Sequence, residues 1–367
     1  MPGVSFRKYF YPSPWGDLPL NPVPLFSPSL TWVGVFDNSA RSMVKTKDIT
    51  GPESGVVKVL APAKINLTLE VLGKRSDGYH DLRSLVVPVS LYDTLMLRKQ
   101  AGPSIEVACA VVGLPGENQV LLPAPGDNLA VRAARLLQDV TGYSGGAKIE
   151  IQKEIPIGGG MGGGSADAAG TLVGLNRLWE TGLTVDKLME LGAQLGSDIP
   201  AMVYGKPVCM EGRGEKVRPV PCRWPVGVQW WIVVVNPGFN VPTRDVYRRF
   251  RTGLTSLQET FINACFALER GDVKLASASL QNSLEAVVFS KYPLLSMVAE
   301  RLKSAGALGV LLSGSGASVF AVAANHDQAL AIESQVKREL GSWLWTKIAQ
   351  ILPDSVMVAH GPLTARV

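Results

Sequence analysis

Six glycines fall between positions 158 and 164, in the run Pro156-Ile157-Gly158-Gly159-Gly160-Met161-Gly162-Gly163-Gly164-Ser165. Each costs roughly 0.5–1 kcal/mol against alanine in regular structure, and each lets the backbone lie flush on a ligand. A polyphosphate is the ligand such a run serves, because free backbone N–H groups at a helix N-terminus favour negative charge. The run lacks the Lys-Ser/Thr ending of a P-loop, and its G-x-G-x-x-G spacing is weak grounds for a dinucleotide site. A flexible linker or tight turn is the plainer alternative. Two charged residues stand in places where chemistry is feasible. Asp198 follows Gly196 and precedes Ile199-Pro200; it can be a carboxylate held in a cleft or a cap on the next turn. Lys64 is the only charge between Leu60 and Leu69; it can serve a site or snorkel at a strand edge. His80, one of three histidines, directly follows Tyr79, and a lone histidine is more often structural.

The elements around these residues read as follows. Ile149 and Ile151 alternate with Lys148, Glu150 and Gln152, a half-buried strand entering the glycine run. Ala168, Leu172, Leu175 and Leu178 or Trp179 recur at helical spacing after it. Leu67, Leu69 and Val71 alternate with Asn66, Thr68 and Glu70, so Asn66 to Leu72 is a strand; residues 73–78 form a turn. Leu85 to Leu97 reads as extended chain broken at Pro88, and Ile105, Val107 and Cys109 alternate again. Asp127 is read as the cap of a helix through Leu129, Ala133, Leu136, Leu137 and Val140 that Gly142 closes. A helix from Thr184 stops at Gly196, and Met202 to Val220 reads as turn-rich extended chain. A second unit starts near Val226: a strand at Trp230–Val235, helices at 243–251, 257–268 and 293–303, and strands at 308–312 and 318–323 joined by Ser313-Gly314-Ser315-Gly316-Ala317. A helix at 327–340 and a strand at 355–360 end it. This interleaving predicts an α+β sandwich.

The chain as a whole narrows the function. At 367 residues, with 18% charged and 46% hydrophobic residues, it is globular in composition, large enough for one very large domain or two ordinary ones. Its net charge of +5 is scattered, and the local cluster Arg244, Arg248, Arg249 and Arg251 suits a solvated helix face or an acidic small substrate better than nucleic acid. No aromatic–basic interleaving marks a nucleic-acid surface. No apolar run approaches a membrane span. Cys109, Cys209, Cys222 and Cys265 have no C-x-x-C spacing, which disfavours a zinc site or disulfide framework and makes a reducing compartment the default. Residues 1–55, with eight prolines and no periodic apolar face, are expected to be a disordered extension, with Met43 an alternative start.

The glycine run resembles the phosphate loop of the GHMP kinases. Ala61-Pro62-Ala63-Lys64-Ile65-Asn66-Leu67 with Arg75-x-Asp77-Gly78-Tyr79-His80, then Gly196-Ser197-Asp198-Ile199-Pro200, then Leu312-Ser313-Gly314-Ser315-Gly316-Ala317 are similar to motifs of the branch that phosphorylates CDP-methylerythritol. Asp127-Asn128-Leu129 and Glu211-Gly212-x-Gly214-Glu215 match as well. The resemblance covers about residues 56 to 365, with the motifs in order. It implies a two-domain GHMP kinase fold: a ribosomal protein S5 domain 2-like N-terminal, ATP-binding domain at 56–225 and a ferredoxin-like α/β sandwich at 226–367.

The resemblance also implies roles. Lys64 and Asp198 would be catalytic and adjacent, steadying nucleophile and developing phosphoryl charge. Pro156, Gly158 to Gly160, Met161, Gly162 to Gly164 and Ser165 would bind ATP. Asn66 would meet the erythritol hydroxyls, Tyr79 and Tyr247 would sandwich cytosine, and His80 would hydrogen-bond its edge. Thr243, Ser315 and Gly316 would complete the substrate site. Cofactors would be ATP and Mg²⁺, without a stable protein metal site, Ser165 being the loop side chain placed to touch the ion. The product would be the 2-phosphate, in the non-mevalonate isoprenoid pathway. The expected partners are small molecules, with no nucleic acid or membrane, in a cytoplasmic (plastid in a plant or alga) monomer or homodimer. Another GHMP kinase of homoserine or mevalonate type, or a silent nucleotide-binding relative, remain the alternatives. Asp77-Gly78-Tyr79-His80 has no purpose in the first, and intact Lys64 and Asp198 argue against the second. Three positions depart from the family pattern. Ala166 replaces a frequent second serine, which predicts weaker metal or phosphate contacts, and Met161 replaces leucine at similar volume. Arg244 stands where small residues or proline are common, a candidate contact for the CDP phosphates.

Overall fold

The computed structural model describes residues 55–114, 124, 126–251, 258–354 and 359–360. They belong to one compact unit, residues 51–367. In chain order the strands are β1 (Val56–Lys74), β2 (His80–Gln100), β3 (Ile105–Val111), β4 (Gly146–Lys153), β5 (Val208–Gly212), β6 (Lys216–Pro219), β7 (Trp230–Asn236), β8 (Gln281–Asn282), β9 (Gly309–Leu312), β10 (Val319–Ala323), β11 (Trp345–Ile351) and β12 (Ala359–His360). The helices are α1 (Leu129–Thr141), α2 (Gly163–Leu178), α3 (Val185–Leu195), α4 (Ile199–Tyr204), α5 (Thr243–Arg249), α6 (Gln258–Arg270), α7 (Val273–Ala278), α8 (Glu285–Lys291), α9 (Pro293–Ser304) and α10 (His326–Leu340). Expectations for residues 1–54, and for most of the strand at 355–360, lie outside the described residues.

One sheet runs β12-β1-β2-β11-β7-β10-β9, and its spine is the long antiparallel β1–β2 hairpin. One end of β2 pairs with β5 and the other with β4, so the hairpin serves several layers at once. The strand at 66–72 is part of a nineteen-residue one. The reading stopped short because Pro62 and Pro88 look like breakers. Pro62 pairs with Tyr92 and Ala63 with Val89, a register shift that places a bulge opposite Pro62. Proline is tolerated at such a bulge, and the half-buried Ser90 hydroxyl and the Pro88 carbonyl there accept the N–H groups of Gln350 and Leu352.

Strand period decides which face each residue joins. Along β1, Ala61, Ala63, Ile65 and Leu67 enter one core, while Lys64 and Asn66 turn to the other side. In β7, Trp230, Ile232 and Val234 enter that first core, and Val233 and Val235 a second. The uninterrupted apolar run Trp230–Val235 thus belongs to a strand buried on both faces. α1, α2 and α3 pack within the first core, and α9 and α10 within the second.

Two further readings are corrected. Asn128, not Asp127, caps α1: its Oδ1 accepts the Ala130 N–H at 2.9 Å, while the Asp127 N–H donates to Ala124. Met202 lies in α4 rather than in extended chain, because Pro200 at the first turn starts a helix as readily as it ends a strand. The elements α7, α8 and β11 were not read at all. The first two are too short to show a period, and β11 interleaves Thr346, Lys347 and Gln350 with only a half-buried surface.

Candidate active site

The glycine run is where strand β4 hands over to helix α2. Gly158, Gly160 and Gly162 all have positive φ, at 66°, 76° and 73°, which side chains rarely adopt. Gly160 is also a close approach. A Cβ there would stand 2.0 Å from the Ser313 carbonyl oxygen, so no other residue fits. The Ser318 N–H donates to Gly159 O at 3.0 Å and the Ser313 hydroxyl to Gly160 O at 3.1 Å. The two glycine motifs, about 150 residues apart in sequence, are therefore docked on each other. Gly163, Gly164 and Ser165 form the first turn of α2, whose unpaired N–H groups open toward the cleft.

Lys64 sits beside this loop. Its backbone N–H donates to Met161 O at 3.1 Å, and a Cβ on Gly162 would lie 3.3 Å from its side chain. The ammonium donates to Asn66 Oδ1 at 2.8 Å and lies 3.6 Å from Asp198 Oδ2. Asn66 Nδ2 in turn donates to Ser84 Oγ at 2.8 Å, and Ser84 Oγ donates to Thr68 O at 2.6 Å. The lysine is thus aimed by a chain of hydrogen bonds along the β1–β2 hairpin. Asp198 occupies the N-cap position of α4 yet its side chain makes no capping hydrogen bond. Its carboxylate is 36% exposed, against 9% for Lys64. The capping alternative for Asp198 is not what the geometry contains.

These residues line a cavity of roughly 930 Å³. Pro156, Gly158, Gly159, Gly160, Gly162, Gly163, Gly164 and Ser165 border it at one end, and Asn66, Tyr79, His80, Thr243, Tyr247 and Ser315 border it too. Met161 and Gly316 are the two expected site residues outside this lining. Met161 is fully buried in the first core and offers only its carbonyl, and a Cβ on Gly316 would meet Leu312 and Val288. Ala166 is likewise fully buried in the first core, so its methyl group fills core volume rather than cleft. The Thr243 and Ser315 hydroxyls are hydrogen-bonded to each other at 2.7 Å.

Four rings, Tyr79, His80, Tyr247 and Phe250, border the aromatic end. The ring against Tyr247 is His80, at 5.3 Å between centroids, with Phe250 edge-on to His80 at 6.5 Å. Tyr79 is instead 57% exposed, with the Arg213 guanidinium 5.0 Å over its ring. Burial and the nearby Lys74 charge hold the His80 imidazole below its ordinary pKa, so it is neutral at pH 7 with one donor and one acceptor. Burial, and then the charge of Asp198, raise the Tyr247 phenol, which stays protonated. Sequence reasoning missed Ser84, Phe250, Lys74 and Arg213. Phe250 follows Tyr247 by three residues, a same-face spacing that pointed to it; Ser84 needed the hairpin register.

Comparison with known proteins fits this arrangement. The family described as GHMP kinases N terminal domain matches residues 128–206, and GHMP kinases C terminal matches residues 267–342. Among solved structures, a 4-(cytidine 5'-diphospho)-2C-methyl-D-erythritol kinase is 32% identical, with a TM-score of 0.64 over 80% of this chain and 98% of that one. A homoserine kinase from Cytophaga hutchinsonii shares the fold at 19% identity, with a TM-score of 0.65 over 84% and 97%. Fold and loop together define an enzyme class, the GHMP small-molecule kinases, with N- and C-terminal domains of mixed α and β structure. The 4-diphosphocytidyl-2-C-methyl-D-erythritol kinase of Pelotomaculum thermopropionicum is 41% identical over 285 residues, 77% of this chain and 94% of that one. The enzyme of the same name from Symbiobacterium thermophilum is 41% identical over 273 residues, 72% and 90%. The chain belongs to this 4-diphosphocytidyl-2-C-methyl-D-erythritol kinase family of the GHMP kinases. No helix among the described residues is long and apolar enough to cross a membrane, and all four cysteines are free.

Proposed function

We infer that the protein transfers the γ-phosphoryl group of ATP to the 2-hydroxyl of 4-(cytidine 5'-diphospho)-2-C-methyl-D-erythritol, giving the 2-phosphate and ADP. One observation carries the reading: the Asp198 carboxylate, free of any capping bond, stands 3.6 Å from Lys64 in the cavity that holds both the glycine loop and the Tyr79–His80 turn. Moving a phosphoryl group needs positioning and charge neutralisation more than covalent chemistry. In this reading the α2 N-terminus and the glycine N–H groups hold the ATP phosphates. Asp198 accepts the hydroxyl proton as the oxygen–phosphorus bond forms and the bond to the β-phosphate oxygen breaks. Lys64 balances the charge that develops between them. Asn66 has one amide proton and one carbonyl lone pair left over for the erythritol hydroxyls.

Lys74, Arg244, Arg248 and Arg251 line the same cavity, a basic rim suited to a diphosphate. The base would lie between the Tyr79 face and the His80–Tyr247 pair, with the neutral His80 reading its edge. No group of three or more His, Cys, Asp or Glu among the described residues could hold a metal on its own. In this reading Mg²⁺ comes with ATP, neutralising phosphate charge with the Ser165 hydroxyl as a protein ligand. We also propose a division of labour between residues 56–225, carrying the ATP loop, and 226–367, carrying Thr243, Tyr247 and Ser315.

Incubation with ATP, Mg²⁺ and the CDP-alcohol, with detection of ADP and a phosphorylated product, tests the reaction. The substrate end is tested separately. Tyr247→Ala should raise the KM for the CDP-alcohol by roughly five- to a hundredfold, the range of stacking on one base, with kcat largely kept. His80→Ala should erode the preference over a uridine analogue more than Tyr247→Ala does, because unpaired edge groups discriminate and stacking does not. Loss of ATP affinity in either variant, with an unchanged KM for the alcohol, would reverse the two ends of the cleft.

A further inference from the structure

The turn joining β5 to β6 carries a cation that the phosphoryl transfer itself leaves unexplained. Arg213 lies in Glu211-Gly212-Arg213-Gly214-Glu215, and the turn is fixed on all sides. The Arg213 N–H donates to Glu215 Oε2 at 2.7 Å, the Gly214 N–H donates to Glu211 O at 3.1 Å, and Glu211 pairs with Arg218 at 2.7 Å. Gly212 and Gly214 both have positive φ, at 72° and 110°. The guanidinium that projects from this turn lies 5.0 Å over the Tyr79 ring.

Tyr79 stands on the opposite, less anchored structure, the tip of the β1–β2 hairpin. There Arg75 pairs with Asp77 at 3.0 Å and Asp81 at 2.7 Å, and the Tyr79 N–H donates to Asp77 Oδ1 at 3.1 Å. These contacts fix the backbone of the tip but leave the ring without packing, more than half exposed at the mouth of the cavity. An aromatic ring in that state has several rotamers open to it. A cation over one face removes most of that freedom and leaves the other face for a ligand. Against a desolvation that raises it, the Tyr79 N–H bond, then the Arg75 hydrogen bond and charge, and least of all the Arg213 charge, hold the Asp77 carboxyl below its usual range.

We propose that Arg213 is a positioning residue for the nucleobase end of the substrate: it holds the Tyr79 ring from one side so that the other is presented to the base. The proposal rests on the cytidine reading given above. It makes the β5–β6 turn part of substrate selection although it contributes nothing to phosphoryl transfer.

A double-mutant cycle on the full chain tests it, with Arg213→Ala, Tyr79→Ala and the pair, assayed with ATP and the CDP-alcohol and titrated with CDP. Arg213→Ala should raise the KM for the alcohol and the Kd for CDP by roughly two- to fivefold, the range of an exposed cation–π contact. The KM for ATP and the melting temperature should stay put, and Arg213→Lys should recover part of the loss. In the Tyr79→Ala background, Arg213→Ala should have no further effect. A loss that persists undiminished there would mean that the guanidinium meets the substrate directly, and the proposal falls. It falls as well if CDP affinity is unchanged, or if kcat or the ATP KM carries the effect. A wild type that turns over the alcohol while Arg213→Ala behaves identically overturns the Arg213 assignment alone. A wild type that neither turns over the alcohol nor binds CDP overturns it together with the cytidine reading.

Discussion

Two lysine–aspartate clusters flank the same glycine loop, and they are built to opposite ends. Lys153, at the end of β4, is held between Asp93 and Asp167 Oδ2, the latter at 2.5 Å, and its side chain is 5% exposed. Asp93 Oδ1 also accepts the N–H groups of Glu154 at 2.7 Å and Ile155 at 2.9 Å, which ties the strand end that enters the loop. Lys64 and Asp198 are 3.6 Å apart, and the carboxylate is open to the cavity. The first cluster spends its charges on each other and on the backbone. The second keeps a carboxylate uncommitted, at the distance of attraction but beyond a direct hydrogen bond. A tight buried pair holds a loop in place, whereas a loose open one has something left to offer a substrate.

Substitutions in the two clusters should therefore fail in different ways. The largest effect is expected at Asp198→Asn: kcat should fall by roughly 10²–10⁴ as a proton acceptor is lost, with nucleotide affinity and melting temperature nearly unchanged. Steady-state kinetics beside a thermal melt checks this, and a variant that melted early but kept its rate would move Asp198 into the structural class. Lys153→Met should show the reverse, about 3–5 kcal/mol of stability lost because two buried carboxylates are left facing each other. Its melting temperature should drop by roughly 10 °C on the scaling for domains of this size.

A smaller change probes the aiming of Lys64. Asn66→Ala removes the acceptor of a charged hydrogen bond worth about 1.5–3 kcal/mol, so kcat/KM should fall roughly ten- to a hundredfold. Wild-type rates in that variant would show that Lys64 needs no support from β1.

The smallest effect concerns pH. Burial, only partly offset by Lys153, pushes the Asp167 carboxyl up to about 7, from 3.8 in an unfolded chain. Folding then favours the protonated form, so this group's contribution is fully present below about pH 4 and is lost as pH rises through 7. Asp167→Asn should flatten the stability profile between pH 5 and 8, and the variant should gain on wild type as pH rises. Parallel melting curves across that range would place the titrating proton elsewhere.

Much of this was legible in the chain itself, for local reasons. A strand, a glycine run and a helix at 3.6-residue spacing are legible as a strand–loop–helix unit because each depends on neighbours in sequence: α2 buries Ala168, Leu172, Leu175 and Leu178 as their spacing requires. The alternation from Asn66 to Leu72 likewise put Asn66, Thr68 and Glu70 on one face, and the full length of β1 adds Lys64 to it. The prolines misled, because a bulge that accommodates Pro62 is a property of the strand opposite it.

What the sequence determined by itself is the set of chemical parts and the periods that sort them between core and cleft. Tertiary structure alone decided which parts meet. Whether Asp198 caps α4 or faces Lys64 depends on how a helix start is set against a strand 134 residues away, a choice in which both local options satisfy local geometry. That His80 rather than Tyr79 lies against Tyr247, and that Arg213 takes the face of Tyr79, follow from where the hairpin tip, α5 and the β5–β6 turn converge. Contacts of this kind have no signature in spacing. Each side chain reads as an ordinary surface or core residue until long-range packing brings its partner within reach.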